Sequence, residues 1–185
     1  MIDSFRGARQ SCRPMRRPIL GMALLLAGAT AAVVRAQDSD VFIQEEHTPA
    51  PAFSLPDLSG RTVDSKSLAG KVAVLSFGAT WCSSCTSELK SLENLQAKYP
   101  KDLVVYFVAL DGRGDKDVKP YLEAHGHKIR TLFDPKMAVA REYGIRWLPV
   151  TVVRDRKGVI VGRAIGAREW DGTEALAFIQ PLIER

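Results

Sequence analysis

The sequence is poor in the residues that build disulfide scaffolds and metal centres. Of its 185 residues, only three are cysteines and three are histidines. Cys12 lies in the basic N-terminal segment, so Cys82 and Cys85 are the only thiols in the rest of the chain. A structural zinc site needs two further ligands at a suitable spacing, and neither Cys12 nor the three histidines supply them. We therefore expect neither a structural zinc site nor a fold stapled by disulfides.

Beyond the N-terminal segment, the chain also lacks an excess of charge of either sign. The whole sequence has a net charge of +5, and residues 1–36 alone, with six arginines and one aspartate, account for a net charge of +5. The rest of the chain is therefore close to neutral, and its charged stretches, such as residues 154–157, are typical of solvated turns. Because nucleic-acid binding needs a basic surface on the folded part, we expect no nucleic-acid partner.

Residues 1–36 have the pattern of an export signal. Five arginines precede a run without charge from Pro18 to Val34, and Val34 and Ala36 are small residues at the positions that a signal peptidase reads. The run is shorter than the roughly 20 residues that cross a bilayer comfortably, which favours cleavage. A retained N-terminal membrane anchor is the alternative. Either outcome predicts a periplasmic or otherwise extracytoplasmic location.

The remainder of the chain predicts one folded domain. The 149 residues after Ala36 are enough for one sizeable core and too few for two comfortable domains. Residues 37–51 are polar and contain two prolines, which predicts a tether. We therefore place the folded domain at residues 52–185.

Apolar periodicity in this domain alternates between strands and helices. Residues 72–77 and 103–110 are β-branched, nearly continuous apolar runs, typical of central strands covered on both faces. Between them, leucines at helical spacing predict a helix that ends at Pro100. The remaining patterns predict helices over residues 117–125, 136–143 and 173–183, strands near residues 131–133, 150–153 and 159–161, and a small hairpin over residues 53–63.

Cys82 and Cys85 follow Trp81 at the predicted start of the helix between the two central strands. Two thiols at this spacing can close into a disulfide and open again. The attacking species is the thiolate, and a helix N-terminus lowers the pKa of a thiol through its partial positive charge and its free N–H groups. Cys82 is therefore the expected nucleophile, and Cys85, one turn further, is the expected thiol that resolves the mixed disulfide.

With these motifs, the chain resembles the thioredoxin-like superfamily and, within it, the exported TlpA/ResA-like thiol-disulfide oxidoreductases. The resemblance covers roughly residues 52–183 and is carried by the order of strand, CxxC helix, strand and late proline. Its motifs are specific in combination, and they lie at residues 53–61, 68–71, 77–82, 143–151 and 158–166. It implies an α/β thioredoxin-like fold, with a mixed central sheet flanked by helices, an N-terminal β-hairpin and an inserted strand and helix.

The resemblance also implies a substrate site beside the cysteines. Leu148–Pro149 is expected to be a cis peptide bond that lies against Cys82, although a plain edge-strand proline is the alternative. Its implied role is to present the backbone of Leu148 to an extended partner segment. Trp81 is expected on the rim of the active site, with simple packing as its alternative.

Glu88 is the candidate for proton exchange with Cys85. Thioredoxins carry a buried aspartate where this chain has Ser76, and a serine cannot accept a proton in the same way. Glu88 lies three residues after Cys85 on the same helical face and matches a buried glutamate of the ResA-like branch. A desolvated carboxylate would titrate high enough to exchange protons with a thiol, whereas a solvent-facing one would not, so burial decides between the two.

The function implied by the resemblance is that of an exported protein-disulfide reductase. It would exchange through Cys82 and Cys85 with cysteine pairs of other extracytoplasmic proteins, in cytochrome c or copper-site maturation. A disulfide oxidant or isomerase and a copper-binding thiol chaperone are the alternatives. Ser83 and Ser84 stand where many relatives have a proline before the second cysteine, which leaves the direction of electron flow open.

The sequence has no flavin or nicotinamide motif, so we expect no cofactor and an electron supply from another protein, such as a membrane thiol carrier.

Overall fold

The computed structural model describes residues 43–184. The predicted export signal at residues 1–36 lies outside the described residues and stays a prediction. No helix in the described part of the chain combines the length and the apolar character needed to cross a membrane.

The described residues form eight strands, five α-helices and one 3-10 helix at Ser65–Leu68. The strands are β1 (Gln44–Pro49), β2 (Ser54–Pro56), β3 (Thr62–Asp64), β4 (Val72–Gly78), β5 (Leu103–Ala109), β6 (Thr131–Phe133), β7 (Val150–Arg154) and β8 (Val159–Ile165). The helices are α1 (Ser83–Ser87), α2 (Leu89–Lys98), α3 (Asp115–Ala124), α4 (Ala138–Glu142) and α5 (Thr173–Glu184).

Six of the strands form one mixed sheet in the order β1-β8-β7-β4-β5-β6, and β2 pairs with β3 in a separate hairpin. Strands β4, β5 and β6 are parallel, whereas β7, β8 and β1 pair antiparallel. The predicted mixed central sheet flanked by helices is thus confirmed. β4 lies in the interior of this sheet, and all seven of its residues are buried.

Side chains of β4 alternate between two hydrophobic clusters, one on each face of the sheet, as the twofold period of a strand requires. Val72 and Val74 pack in the cluster that contains residues of α2, α3 and α5. Leu75 and Phe77 pack in the cluster that contains residues of the β2–β3 hairpin and α4. Ser76 therefore faces the side of α2 and α5, and it is fully buried there.

The prediction of a tether over residues 37–51 is wrong for residues 44–49. They form β1, the outer strand of the main sheet, which pairs antiparallel with β8. Five of the six residues are exposed, and Glu46 forms a salt bridge with Arg163 of β8 at 3.1 Å. An edge strand with solvent on its faces needs backbone partners but few apolar side chains, so its polar composition does not identify it as a strand.

The helix predicted after the cysteines is present in two pieces, α1 and α2. Glu88 separates them, with φ −88° and ψ −9°. The leucines at positions 89, 92 and 95 of α2 are buried, as their spacing predicted. The other predicted strands, helices and hairpins are present within a few residues of their predicted bounds.

Candidate active site

The topology brings the predicted site residues to one end of the sheet. Trp81 and Cys82 follow the end of β4. β7 runs antiparallel to β4, with Val150 opposite Phe77, so Pro149, directly before β7, lies at the same end. Residues distant in sequence are thus gathered by the pairing of two adjacent strands.

Cys82 and Cys85 are joined by a disulfide, with their Cα atoms 5.2 Å apart. Cys82 is the N-cap of α1, and its Sγ accepts a hydrogen bond from the backbone N–H of Cys85 at 3.3 Å. Ser84 Oγ lies 3.4 Å from the same sulfur. Cys82 is half-buried, whereas Cys85 is fully buried. An incoming disulfide can therefore reach the sulfur of Cys82 but not that of Cys85.

Cys85 packs closely against the last residue of β4. A Cβ atom at Gly78 would lie 2.9 Å from Cys85 Cβ and 2.7 Å from Phe107 Cε2. Contacts this short are not tolerated in a packed core, so a glycine is needed for α1 to lie this close to the strand.

Leu148–Pro149 is a cis peptide bond, as the resemblance implied. Pro149 is buried and Leu148 is half-buried. The carbonyl of Pro149 accepts a hydrogen bond from the N–H of Gly166 at 2.9 Å, which ties this loop to the end of β8. Trp81 is exposed, so its side chain is not part of the core.

Glu88 is buried, with 2% of its surface exposed, and its carboxylate accepts four hydrogen bonds. Ser76 Oγ donates to Oε1 at 2.5 Å, and Thr151 Oγ1 donates to Oε1 at 3.3 Å. The backbone N–H of Arg168 donates to Oε2 at 3.2 Å, and Trp170 Nε1 donates to Oε2 at 3.3 Å. The buried alternative for Glu88 is thus the one found in the structure.

Strand register explains this arrangement. Ser76 and Thr151 are directly opposite each other on β4 and β7, and both face the side of the sheet on which Glu88 lies. Burial raises the pKa of Glu88 above the usual 4.5, while the hydrogen bonds, led by that from Ser76, oppose the rise. Ser76, which departs from the thioredoxin pattern, thus forms one unit with the carboxylate. The sequence signal for this unit is a single polar residue within an otherwise apolar central strand.

A second buried carboxylate, Asp111, holds the segment that leads to Cys82. The backbone N–H of Thr80 lies 3.2 Å from both carboxylate oxygens of Asp111, and Thr80 Oγ1 donates to Oδ1 at 2.5 Å. Asp111 is 1% exposed. Both residues follow parallel neighbouring strands, and the N–H of Leu110 donates to the carbonyl of Gly78 at 2.9 Å. Sequence reasoning missed this contact, because it joins two loops that are adjacent only through the pairing of β4 with β5.

Comparison with known proteins agrees with this geometry. The model of the AhpC/TSA family matches residues 47–163, which is more than half of the chain. The chain belongs to the AhpC/TSA family. Its sequence is similar to that of the thiol-disulfide oxidoreductase ResA of Bacillus anthracis, with 34% identity over 118 residues, 63% of this chain and 68% of ResA.

Two further relatives place this AhpC/TSA protein among the thioredoxin-like oxidoreductases. The thiol:disulfide interchange protein DsbE of Allochromatium vinosum is 29% identical over 147 residues, which cover 74% of this chain and 75% of DsbE. The crystal structure of a DsbE-type protein from Chlorobium tepidum superposes with a TM-score of 0.69 at 29% identity, covering 76% of this chain and 99% of that one. The thioredoxin-like fold and a thiol-disulfide oxidoreductase activity with the Cys82–Cys85 pair are thus established.

The described residues of this AhpC/TSA protein offer no cluster of three or more cysteine, histidine, aspartate or glutamate side chains placed to hold a metal ion. The polar groups at the sulfur of Cys82 are the Ser84 hydroxyl and the backbone N–H of Cys85.

Thr80→Val tests the contact with Asp111. The substitution removes the hydroxyl donor and keeps the shape, so the buried carboxylate loses one of its partners. We expect a loss of about 1 to 2 kcal/mol in the free energy of unfolding, together with slower disulfide exchange, because the segment before Cys82 is held less firmly. Urea denaturation and insulin reduction measure the two effects. Thr80→Ser, which keeps the hydroxyl, is the matched control, and equal stability of the two variants would contradict the assignment.

Proposed function

We propose that this protein is an extracytoplasmic protein-disulfide reductase that passes two electrons from the Cys82–Cys85 dithiol to disulfides of partner proteins. The observation that carries the proposal is the unequal exposure of the two sulfurs. Cys82 is half-buried at the start of α1, whereas Cys85 is fully buried. One sulfur can meet a partner, and the other can act only on what the first has captured.

The reaction proceeds in two exchanges. In the first, the thiolate of Cys82 attacks one sulfur of a partner disulfide; a bond between Cys82 and the partner forms, the partner disulfide breaks, and its other sulfur leaves as a thiolate that takes up a proton. In the second, the thiolate of Cys85 attacks Cys82 Sγ, so that the Cys82–Cys85 disulfide forms and the second partner thiol is released. The partner gains two electrons, and the protein is oxidised.

Glu88 is proposed to accept the proton of Cys85 before the second exchange. Both groups are buried, and they lie one helical turn apart in the chain. Burial raises the pKa of Glu88, so this pKa lies nearer to that of a thiol than the pKa of an exposed glutamate does. Water has little access to this proton, so an internal acceptor gives it a path.

The reducing direction is supported by the surroundings of Cys82. A strongly oxidising pair needs a strongly stabilised thiolate. In the described residues, the sulfur of Cys82 accepts one backbone N–H bond, from Cys85, and has one hydroxyl, that of Ser84, at 3.4 Å. The helix that follows, α1, is only five residues long. This modest stabilisation of the thiolate favours the disulfide in the protein and hence reduction of the partner.

The proposed substrates are cysteine pairs of apocytochromes c or of copper-site assembly proteins, as the family resemblance implies. Trp81, Leu148 and Pro149 would contact the partner chain, because they lie at the same sheet end as Cys82. The pattern of residues 1–36 supports export, with a cleaved signal or a retained tether, and a membrane thiol carrier would return the electrons.

The reduction potential of the purified protein tests this proposal. We expect equilibrium with glutathione buffers to give a value more negative than about −200 mV, in the range of reducing members such as the glutaredoxins and thioredoxin. The protein should also catalyse reduction of insulin by dithiothreitol. A potential near the roughly −120 mV of a strong oxidant would instead favour the alternative of a disulfide oxidant.

A further inference from the structure

Three large apolar side chains are exposed at the end of the sheet that carries the redox disulfide. Trp81 is 72% exposed, Trp147 is 63% exposed and Ile165 is 41% exposed. Among residues 43–184, the other exposed large apolar side chains are Leu58, at 36%, and Met137, at 39%. Tryptophan is on average a highly buried residue, and exposed apolar patches on soluble proteins mark contact surfaces.

Strand pairing brings these three side chains to one end of the sheet. Trp81 follows β4, Trp147 lies shortly before β7, and Ile165 is the last residue of β8. Val150, the first residue of β7, pairs with Phe77 on one side and with Ile165 on the other. We call the set of Trp81, Trp147 and Ile165 the apolar rim, and it belongs to the same sheet end as Cys82.

The chemistry of the site determines what occupies the apolar rim. A disulfide that reacts must bring its sulfur to Cys82 Sγ, because Cys85 is fully buried. The residues before and after the partner cysteine then lie against the loops that carry Trp81 and Trp147. Contact with apolar partner side chains would remove both surfaces from water, whereas polar partner side chains would gain little there.

We propose that Trp147 and Ile165, together with Trp81, select extended partner segments that carry aromatic or aliphatic side chains within two residues of the reactive cysteine. This inference rests on the proposed function and adds the chemical class of the substrate sequence. Trp147 is the main determinant, because it is the more exposed of the two new residues and lies two positions before Pro149.

Steady-state kinetics with two disulfide peptides test the proposal. The peptides have equal length and neutral charge, one with leucine and tyrosine beside the cysteines and the other with serine, and dithiothreitol regenerates the full-length enzyme. We expect the wild type to show a KM about tenfold lower for the apolar peptide, in line with the discrimination typical of apolar contacts. Trp147→Ala should raise that KM at least about fivefold with little change in kcat, and Trp147→Phe should restore most of it.

Two controls separate the possible failures. Met137→Ala removes an exposed apolar side chain after β6, on the other side of β4 from β7 and β8, and should leave both KM values unchanged. A small hydrophilic disulfide, such as hydroxyethyl disulfide, carries no apolar side chain and reports on the redox centre itself, so Met137→Ala should reduce it at the wild-type rate. Equal KM values for the two peptides in the wild type, or equal effects of Trp147→Ala and Met137→Ala, would overturn the selection by the apolar rim. The proposed function would still stand. Reduction of the small disulfide but of neither peptide would overturn the proposed function and this inference with it.

Discussion

Cys82→Ser abolishes disulfide exchange, whereas Cys85→Ser stops turnover but leaves partner proteins covalently bound to Cys82. Both results are expected from the exposure of the two sulfurs, since Cys82 is half-buried and Cys85 is fully buried. Without Cys82, no sulfur can reach a partner, and insulin reduction should fall to the rate without enzyme. Without Cys85, the first exchange still occurs, but nothing breaks the mixed disulfide.

The measurement is the reduction of insulin for turnover and mass spectrometry after non-reducing electrophoresis for the trapped species in cells. Cys12→Ser is the matched control, because it removes the third cysteine of the chain, which lies in the N-terminal segment. Its activity should equal that of the wild type. If Cys85→Ser accumulates no adduct while the wild type is active, Cys82 is not the nucleophile; adducts on Cys85 in the Cys82→Ser variant would reverse the two roles.

Glu88→Leu destabilises the fold strongly, whereas Glu88→Gln leaves it nearly intact. Leucine would leave the backbone N–H of Arg168 and the buried indole N–H of Trp170, which donate to the carboxylate, without this acceptor. We expect a loss of about 2 to 5 kcal/mol in the free energy of unfolding. Glutamine can keep the network, since its oxygen can accept from these two donors and its amide can donate to the hydroxyl oxygens of Ser76 and Thr151, which are free to rotate.

Because Glu88→Gln still folds, it isolates the titration of the carboxylate. The folded pKa of Glu88 is raised by burial above its unfolded value near 4.5. The native state therefore binds this proton more tightly than the unfolded state, and the stability that this provides is complete below pH 4.5 and is lost as the pH rises through the folded pKa. The free energy of unfolding of the wild type, relative to Glu88→Gln, should fall between acid and neutral pH. Urea denaturation at several pH values measures it.

Alkylation of the reduced protein tests whether Glu88 exchanges protons with the thiols, again with the Glu88→Gln variant. Removing a nearby carboxylate charge favours thiolates, so the pH profile of thiol alkylation in the reduced protein should move to lower pH in Glu88→Gln. Glu123→Gln, at an exposed position of α3, is the matched control and should keep the wild-type profile. An unchanged profile in Glu88→Gln would show that Glu88 does not exchange protons with the thiols, whatever its effect on stability.

Local patterns in the sequence were enough to predict most of the fold. The continuous apolar runs of β4 and β5 and the leucine spacing of α2 depend on neighbours within a few residues, and these elements occur as predicted. The polar edge strand β1 was missed because its stability comes from backbone bonds to β8 rather than from its own side chains. The export signal remains a prediction from sequence.

By itself, the sequence determined the class of chemistry, because two cysteines three positions apart at the start of a helix can open and close a disulfide wherever that helix lies. The tertiary structure decided which groups act on them. The burial of Glu88 depends on the hydroxyls that β4 and β7 place side by side, the contact of Asp111 with Thr80 depends on the pairing of β4 with β5, and the apolar rim depends on the common end of three strands. Accessibility and contacts between distant residues follow from strand register, which no local pattern in the chain specifies.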